Sequence, residues 1–279
     1  MKSVGRTMSL YCVINMDIVG SRKIKDRKQL QDNLKSFIDK INHKYSGVLA
    51  APITITLGDE WQVITNKPSE AYNIVHDFQQ LLWKEHIELY AGIGMGEIST
   101  PLYQDVRMMD GSCFHAAREA INLIKGLDPF KNKVNIHKLN KVFFLSAFLA
   151  SSLQIDDLNS PNKPYPVEEA MGEAAAATGA DVEAIDSVLI NKSLLEQSIN
   201  LIIENNEILK GKMTDKQRAV YVDYMRVGSY RKMVEVSEAE TRETISGISQ
   251  KLNTASYFTI QKNHQLVSNL LDAYSGKGA

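Results

Sequence analysis

Cysteine, net charge and long apolar runs are all scarce in this 279-residue chain, and each scarcity argues against a class of protein. Its 2 cysteines, Cys12 and Cys113, lie far apart and form no C-x-x-C pair. This argues against a disulfide framework or a zinc finger and fits a reducing cytosol. The apolar segment 142–153 is too short to span a bilayer, so we expect a cytoplasmic protein with no membrane partner. A formal net charge of −1 argues against a chain that binds polyanions over its whole surface.

The first 130 residues carry strand and helix patterns in the order β-α-β-β-α-β. The nearly continuous apolar run from Leu10 to Met16 is typical of a central strand that is covered on both faces. Asp26 and Gln29 resemble a capping box, and the helix that they open keeps the 3.6-residue apolar period. The order of elements predicts an α+β, ferredoxin-like fold with an antiparallel sheet and helices. A third helix is predicted from Gly111.

The predicted hairpin at residues 48–65 carries acidic side chains close to the end of the first strand. Its turn contains Gly58-Asp59, a pair that favours a short hairpin turn. Because the first strand neighbours this hairpin in the predicted fold, we expect Asp17, Asp59 and Glu60 to lie close enough to bind Mg²⁺. The turn after the first strand is a candidate phosphate-binding loop formed by Gly20, Ser21 and Arg22.

Each of these residues also has a purely structural explanation. Asp17 is suited to capping the turn after its strand, and Asp59 is a common turn residue. Glu60 is suited to a solvated position on a hairpin, and the Gly20-Ser21 turn to plain chain reversal. Both explanations stay open at this stage.

The middle of the chain carries weaker patterns. Residues 139–153 are predicted to be helical, and the proline-rich segment 160–166 is predicted to be a linker. We therefore divide the chain into a ferredoxin-like domain at residues 8–130, a helical connector at 131–210 and a C-terminal domain at 211–275.

The C-terminal domain has the pattern of an all-α helix-turn-helix, with three helices that begin near Thr214, Tyr230 and Glu240. From residue 211 onward, 10 Lys and Arg residues outnumber 7 Asp and Glu residues, an excess of three positive charges that suits DNA. A helical bundle used for dimerisation or packing is the alternative. The candidate DNA-binding residues are Arg231, Thr241, Arg242, Ser246 and Gln250.

Four segments resemble class III nucleotidyl cyclases and follow the order found there. They are residues 17–21, 56–59, 90–97 and 111–118, within a resemblance that covers 9–126. The tip Gly58-Asp59-Glu60-Trp61 is similar to the Gly-Gly-Asp-Glu-Phe tip of diguanylate cyclases. The resemblance implies that Asp17 and Asp59 bind the metal ion that accompanies a nucleoside triphosphate. Where these cyclases place Asn and Arg on the third helix, this chain has His115 and Glu119, so no catalytic residue is assigned. The whole layout resembles the SatD family.

These observations support three hypotheses. The leading one is a cytosolic regulator, expected as a homodimer, that binds a nucleotide or phosphate ligand with Mg²⁺ through a degenerate cyclase-like domain and DNA through the helix-turn-helix. The second is an active metal-dependent nucleotidyl cyclase or nucleotidyltransferase. The third is a structural descendant that binds neither ligand.

Overall fold

The computed structural model describes residues 9–127, 136–148, 182–236 and 244–276. The proline-rich segment 160–166 and the candidates Thr241 and Arg242 lie outside these ranges. The strands are β1 (Tyr11–Ile18), β2 (Thr54–Leu57), β3 (Glu60–Thr65), β4 (Leu89–Gly96) and β5 (Val142–Ser146). The helices are α1 (Arg27–Lys44), α2 (Ala71–Trp83), α3 (Ser112–Lys125), α4 (Val182–Gly211), α5 (Asp215–Val227), α6 (Tyr230–Val236), α7 (Ile245–Thr254) and α8 (Tyr257–Tyr274).

The five strands form one sheet in the order β2-β3-β1-β4-β5, and the protein is a mixed α+β protein with a helical C-terminal region. The pairs β2–β3, β3–β1 and β1–β4 are antiparallel, but β4–β5 is parallel. The expectation of an entirely antiparallel sheet is therefore wrong at β5. The predicted helix at 139–153 is wrong at Val142–Ser146, because a short apolar run fits a buried strand as well as a buried helix. Strand β5 of the sheet thus lies within residues 131–210, the range that the sequence analysis assigned to a helical connector.

The two faces of β1 pack against different helices, as the alternation of side chains along a strand requires. Cys12, Ile14 and Met16 belong to a core shared with α1 and α2. Val13 belongs to a separate core with Cys113 and Ala117 of α3. Residues of β1 with odd numbers, Asp17 among them, therefore face α3.

Side chains of α4 cover the free edge of β5. The Asn200 amide accepts a hydrogen bond from Phe144 N at 2.9 Å and donates one to Phe144 O at 2.8 Å. One turn earlier on α4, Glu196 Oε1 accepts a hydrogen bond from Ser146 N at 3.1 Å. These contacts satisfy backbone groups that an edge strand leaves unpaired, so α4 closes this edge of the sheet.

We expect Glu196→Gln to change how the stability of the protein depends on pH. Burial raises the pKa of the Glu196 carboxyl to about 7, although bonds from Ser146 and Tyr274 oppose the shift. Because this pKa is raised in the folded chain, the linked stability is full below the ordinary pKa of 4.5 and is lost as the pH rises through 7. The variant lacks this titration, so its free energy of unfolding should rise relative to wild type by about 3 kcal/mol between pH 4.5 and pH 8. Urea unfolding at the two pH values measures the difference, and a constant difference would contradict the prediction.

The C-terminal helices form a second core and also return to the sheet. Thr214 and Gln217 form the capping box that starts α5. The next two helices are α6 and α7. Helix α7 begins at Ile245, because Thr244 is extended and its side chain caps Gly247 N. The predicted start near Glu240 lies outside the described residues. The last helix, α8, places Val267, Leu271 and Tyr274 in the core of the sheet. In the described ranges, no helix has the length and apolar character needed to cross a membrane.

Candidate functional site

Asp17 and Glu60 meet at one end of the sheet. They are direct partners in the antiparallel register of β1 and β3, which places both side chains on the face that α3 covers. Lys125, the last residue of α3, places its Nζ 2.6 Å from Asp17 Oδ2 and 3.2 Å from Glu60 Oε1. The Lys125 side chain is only 12% exposed, so this ammonium is an internal cation bound by two carboxylates.

Asp59 and two arginines complete this group of charges. Arg27 at the start of α1 places Nη2 3.8 Å from Asp59 Oδ1, and Arg118 of α3 places Nη1 3.4 Å from Glu60 Oε2. We call Asp17, Asp59 and Glu60 the acid cluster. Three acids and three bases, namely Arg27, Arg118 and Lys125, therefore balance one another at this end of the sheet.

The environment of Asp17 makes its carboxyl group harder to ionise than that of an ordinary aspartate. Burial raises its pKa most strongly, the Lys125 ammonium lowers it, and the charges of Asp59 and Glu60 raise it again. The net direction is upward. A cation bound at Asp17 would therefore compete with a proton, and binding should weaken as the pH falls.

The acid cluster suits a metal ion that arrives together with an anion. Among the residues that the structure describes, no group of three or more His, Cys, Asp or Glu side chains is arranged to hold a metal ion by itself. Mg²⁺, however, usually takes one or two carboxylates together with substrate phosphates. A lone dication would add charge to a balanced group of three acids and three bases, whereas a metal–polyphosphate complex brings negative charge for the bases. Asp17 with Asp59 or Glu60 would hold such a metal.

The candidate phosphate loop lies directly after β1. Gly20 adopts the left-handed conformation, with φ of 64°, and a short 3₁₀ turn, Ser21–Lys23, follows it. Ser21 is half-buried and Arg22 is exposed. Gly20 and Lys23 line a cavity of about 620 Å³ that none of the three acids lines. The cavity therefore adjoins the loop and not the acid cluster.

The basic residues around the acids were the part of the site that the sequence patterns missed. Asp17, Asp59 and Glu60 follow strand and turn patterns, so their convergence was predicted. Lys125 ends a helix whose distance from the sheet no local pattern specifies. A lysine in the last helical turn, which is a common position, was the only available signal.

The DNA-binding candidates in the described ranges are all exposed. Arg231 lies on α6, and Ser246 and Gln250 lie on α7. The helices beneath them share a core that includes Tyr221, Met233, Ile248 and Leu252. The three exposed candidates therefore lie on helices that pack against one another through a shared core.

The sheet, the acid cluster and the C-terminal helices define an α+β protein with a charged site at one end of its sheet. The SatD family model matches residues 11–156, more than half of the chain. The chain therefore belongs to the SatD family, as its layout suggested. A comparison with curated proteins gives no match.

Proposed function

We propose that this SatD family protein is a cytosolic regulator with two binding functions. Its acid cluster and the loop Gly20-Ser21-Arg22 bind a nucleotide or related phosphate ligand together with Mg²⁺, and its C-terminal helices bind DNA. Cys12 and Cys113 are both buried and form no disulfide bond among the residues that the structure describes, which suits a reducing compartment. A homodimer stays a prediction, as does the division into three domains.

The strand order supports a ferredoxin-like, cyclase-like assignment for the first part of the chain. Strands β2, β3, β1 and β4 are adjacent in that order and antiparallel throughout. Two helical crossovers, α1 and α2, complete the split β-α-β arrangement. On this assignment β5 is an addition at one edge.

The proposal rests chiefly on one observation, the three carboxylates and three bases at the end of β1. When bound, Mg²⁺ would supply charge neutralisation for phosphate oxygens. The chain's own acids would orient the metal, and Arg27, Arg118 and Lys125 would turn from the carboxylates towards the phosphates. Arg27 already donates to Ser21 O at 2.9 Å, so it links the acid cluster to the phosphate loop.

We expect ATP or GTP to raise the melting temperature of the wild-type protein only when Mg²⁺ is present. At about 100 times the dissociation constant, the rise should be about 5 °C. Asp17→Asn should abolish the rise because it removes one metal ligand. Differential scanning fluorimetry measures the effect.

The matched control for this experiment is Asp39→Asn, which neutralises an exposed acid on α1 away from the cluster. It should respond to Mg²⁺ and nucleotide as wild type does. A wild-type protein that shows no metal-dependent rise with either nucleotide would contradict the proposal.

An active nucleotidyl cyclase or nucleotidyltransferase is the second candidate. Arg118 favours it, because this guanidinium reaches the acid cluster and is placed to stabilise charge on a reacting phosphate. Against it, His115 contacts Asp110 rather than the cluster, at 3.4 Å. Incubation with labelled ATP or GTP separates the two candidates, because only the enzyme yields a cyclic or linear product.

For the C-terminal helices we expect salt-dependent DNA binding through Arg231. Loss of one phosphate contact lowers the slope of log affinity against log salt by about 0.9. Arg231→Gln should therefore lower the slope by about that amount. The control Lys262→Gln, an exposed lysine on α8, should leave the slope unchanged. Fluorescence anisotropy over a salt series is the measurement, and a flat response of the wild type would contradict DNA binding.

A further inference from the structure

The charged side chains of α4 contact the rest of the protein, which reverses the usual arrangement on a surface helix. Between positions 191 and 211 they are Lys192, Glu196, Glu204, Glu207 and Lys210. Lys192 lies over an aromatic ring of α8 at 5.5 Å, Glu196 accepts a bond from the backbone of β5, and Glu204 accepts one from His137 N at 3.0 Å. Glu207 and Lys210 form a buried ion pair that binds α2.

The outer face of α4 carries no charge over the part of the helix whose side chains the structure describes, residues 191–211. Its exposed residues recur at intervals of three and four, which keeps them in one stripe along the helix. Leu194 and Leu201 in this stripe are 55% and 62% exposed. We call the set the α4 stripe, and it consists of Asn191, Leu194, Ser198, Leu201 and Asn205.

A face of this composition is unusual on a helix that borders water. The exposed positions of α1, by contrast, include many charged residues, such as Lys28, Asp32, Lys35 and Asp39. Helix α4 has apolar residues on both faces, since Ile199 belongs to the core and Leu201 lies outside it. A helix that is apolar all round is normally buried. The α4 stripe is therefore suited to a protein partner.

The order of residues in the α4 stripe is symmetric about its centre, as an interface between two copies of one chain requires. Ser198 lies in the middle, with a leucine and then an asparagine on each side. When two such helices pack antiparallel across a two-fold axis at Ser198, Leu194 of each copy meets Leu201 of the other, and Asn191 meets Asn205. The leucines then bury one another, and the amides have both donors and acceptors to exchange.

Two further features of the α4 stripe suit a two-fold axis. A charged residue beside such an axis would face its own copy, which is costly, and the stripe has none. Ser198 is small enough for two backbones to approach closely. Its hydroxyl already donates to Leu194 O at 2.7 Å, so burial leaves this group satisfied. The stripe spans about 21 Å of helix, or about four turns.

We propose that the α4 stripe is the interface of a homodimer, in which α4 packs antiparallel against α4 of a second copy. The inference names the contact surface of the homodimer expected under the proposed function and rests on that expectation. It does not rest on nucleotide or DNA binding. The acid cluster shares no residue with the α4 stripe, so both copies keep their ligand sites.

Analytical ultracentrifugation over a concentration series tests this interface. The wild-type chain should sediment as a dimer that dissociates on dilution. Leu201→Glu should raise the dissociation constant of the dimer at least about 100-fold, because it buries a carboxylate against a leucine of the other copy. The matched control is Leu102→Glu, which changes a leucine that is 52% exposed in the loop between β4 and α3. It should dimerise as wild type does.

A double variant tests the antiparallel arrangement. In Leu194→Glu/Leu201→Lys, each introduced carboxylate meets the introduced ammonium of the other copy if the helices are antiparallel. The double variant should therefore dimerise at least about tenfold more tightly than Leu201→Glu. In a parallel pair, like charges would meet, and the double variant should bind no better than that single variant.

Because the changed leucines are exposed, circular dichroism should show that every variant is folded. A monomeric wild type would overturn the proposal, and so would a dimer that Leu201→Glu leaves unchanged or that Leu102→Glu weakens equally. A double variant that dimerises no better than Leu201→Glu would overturn the antiparallel packing. The rise in melting temperature with nucleotide and Mg²⁺ should be equal in wild type and Leu201→Glu, so the interface and the ligand site are tested separately.

Discussion

Lys210→Met should lower the free energy of unfolding by about 4 kcal/mol, because it leaves the buried carboxylate of Glu207 without its cation. Lys210 Nζ donates to Glu207 Oε1 at 2.9 Å, to Gln79 Oε1 at 2.9 Å and to Tyr72 Oη at 3.1 Å. Glu207 also accepts from Tyr72 and Gln79. The network links α4 to α2, and both charged side chains are at most 5% exposed.

The double variant Glu207→Gln/Lys210→Met distinguishes the effect of losing the cation from the effect of losing the packing of the lysine side chain. With no charge left in the network, it should recover at least about 2 kcal/mol of the loss, since replacing both members of a buried pair is far milder than removing one. Urea unfolding of wild type, the single variant and the double variant measures these differences. A single variant within 1 kcal/mol of wild type, or a double variant less stable than the single one, would contradict this explanation.

Gly94→Ala should be at least as damaging, because α3 lies directly on the backbone of β4. A Cβ at position 94 would lie 2.1 Å from Ala117 N and 2.4 Å from Cys113 O. Both contacts are with backbone, so α3 itself must move. We expect a loss of about 4 kcal/mol or more, at the upper end of single substitutions.

The same movement should disturb the acid cluster, because α3 carries Arg118 and Lys125. Gly94→Ala should therefore also reduce the nucleotide- and Mg²⁺-dependent rise in melting temperature. Gly47→Ala is the matched control, since a Cβ there meets no atom within 4 Å. The measurement is urea unfolding of both variants. Similar free energies of unfolding for the two variants would contradict the prediction that the close contact of α3 with β4 excludes a side chain at position 94.

The first part of the fold was predictable because its signals are local. The apolar run of β1, the Gly58-Asp59 turn and the cap at Asp26 each act within a few residues, and Asp26 does accept a bond from Gln29 N at 2.9 Å. Convergence of Asp17 with Glu60 then follows from the pairing of β1 with β3. Local patterns thus predicted the acids of the site.

Features that depend on long-range contacts were not predictable in the same way. Among the described residues, strand β5 pairs with β4 alone, and it is covered by α4, more than 50 residues further along the chain. The return of α8 to the core of the sheet depends on contacts such as Tyr274 Oη with Ser146 Oγ, at 2.6 Å. Lys125 reaches Asp17 only because the glycines of β4 let α3 approach. Periodicity and caps contain no information on such distances.

The central claim is that the acid cluster binds a divalent metal jointly with a phosphate ligand. Electron paramagnetic resonance of Mn²⁺, used as a substitute for Mg²⁺, tests it directly by counting free metal in the presence of the protein. We predict little bound Mn²⁺ with the wild-type protein alone. When ATP or GTP is present at concentrations that leave it only partly loaded with Mn²⁺, the wild-type protein should lower free Mn²⁺ below the level that the nucleotide alone gives, and Asp17→Asn and Asp59→Asn should not. The account would be contradicted if the wild-type protein did not lower free Mn²⁺ with either nucleotide. It would also be contradicted if both variants lowered free Mn²⁺ as much as wild type does.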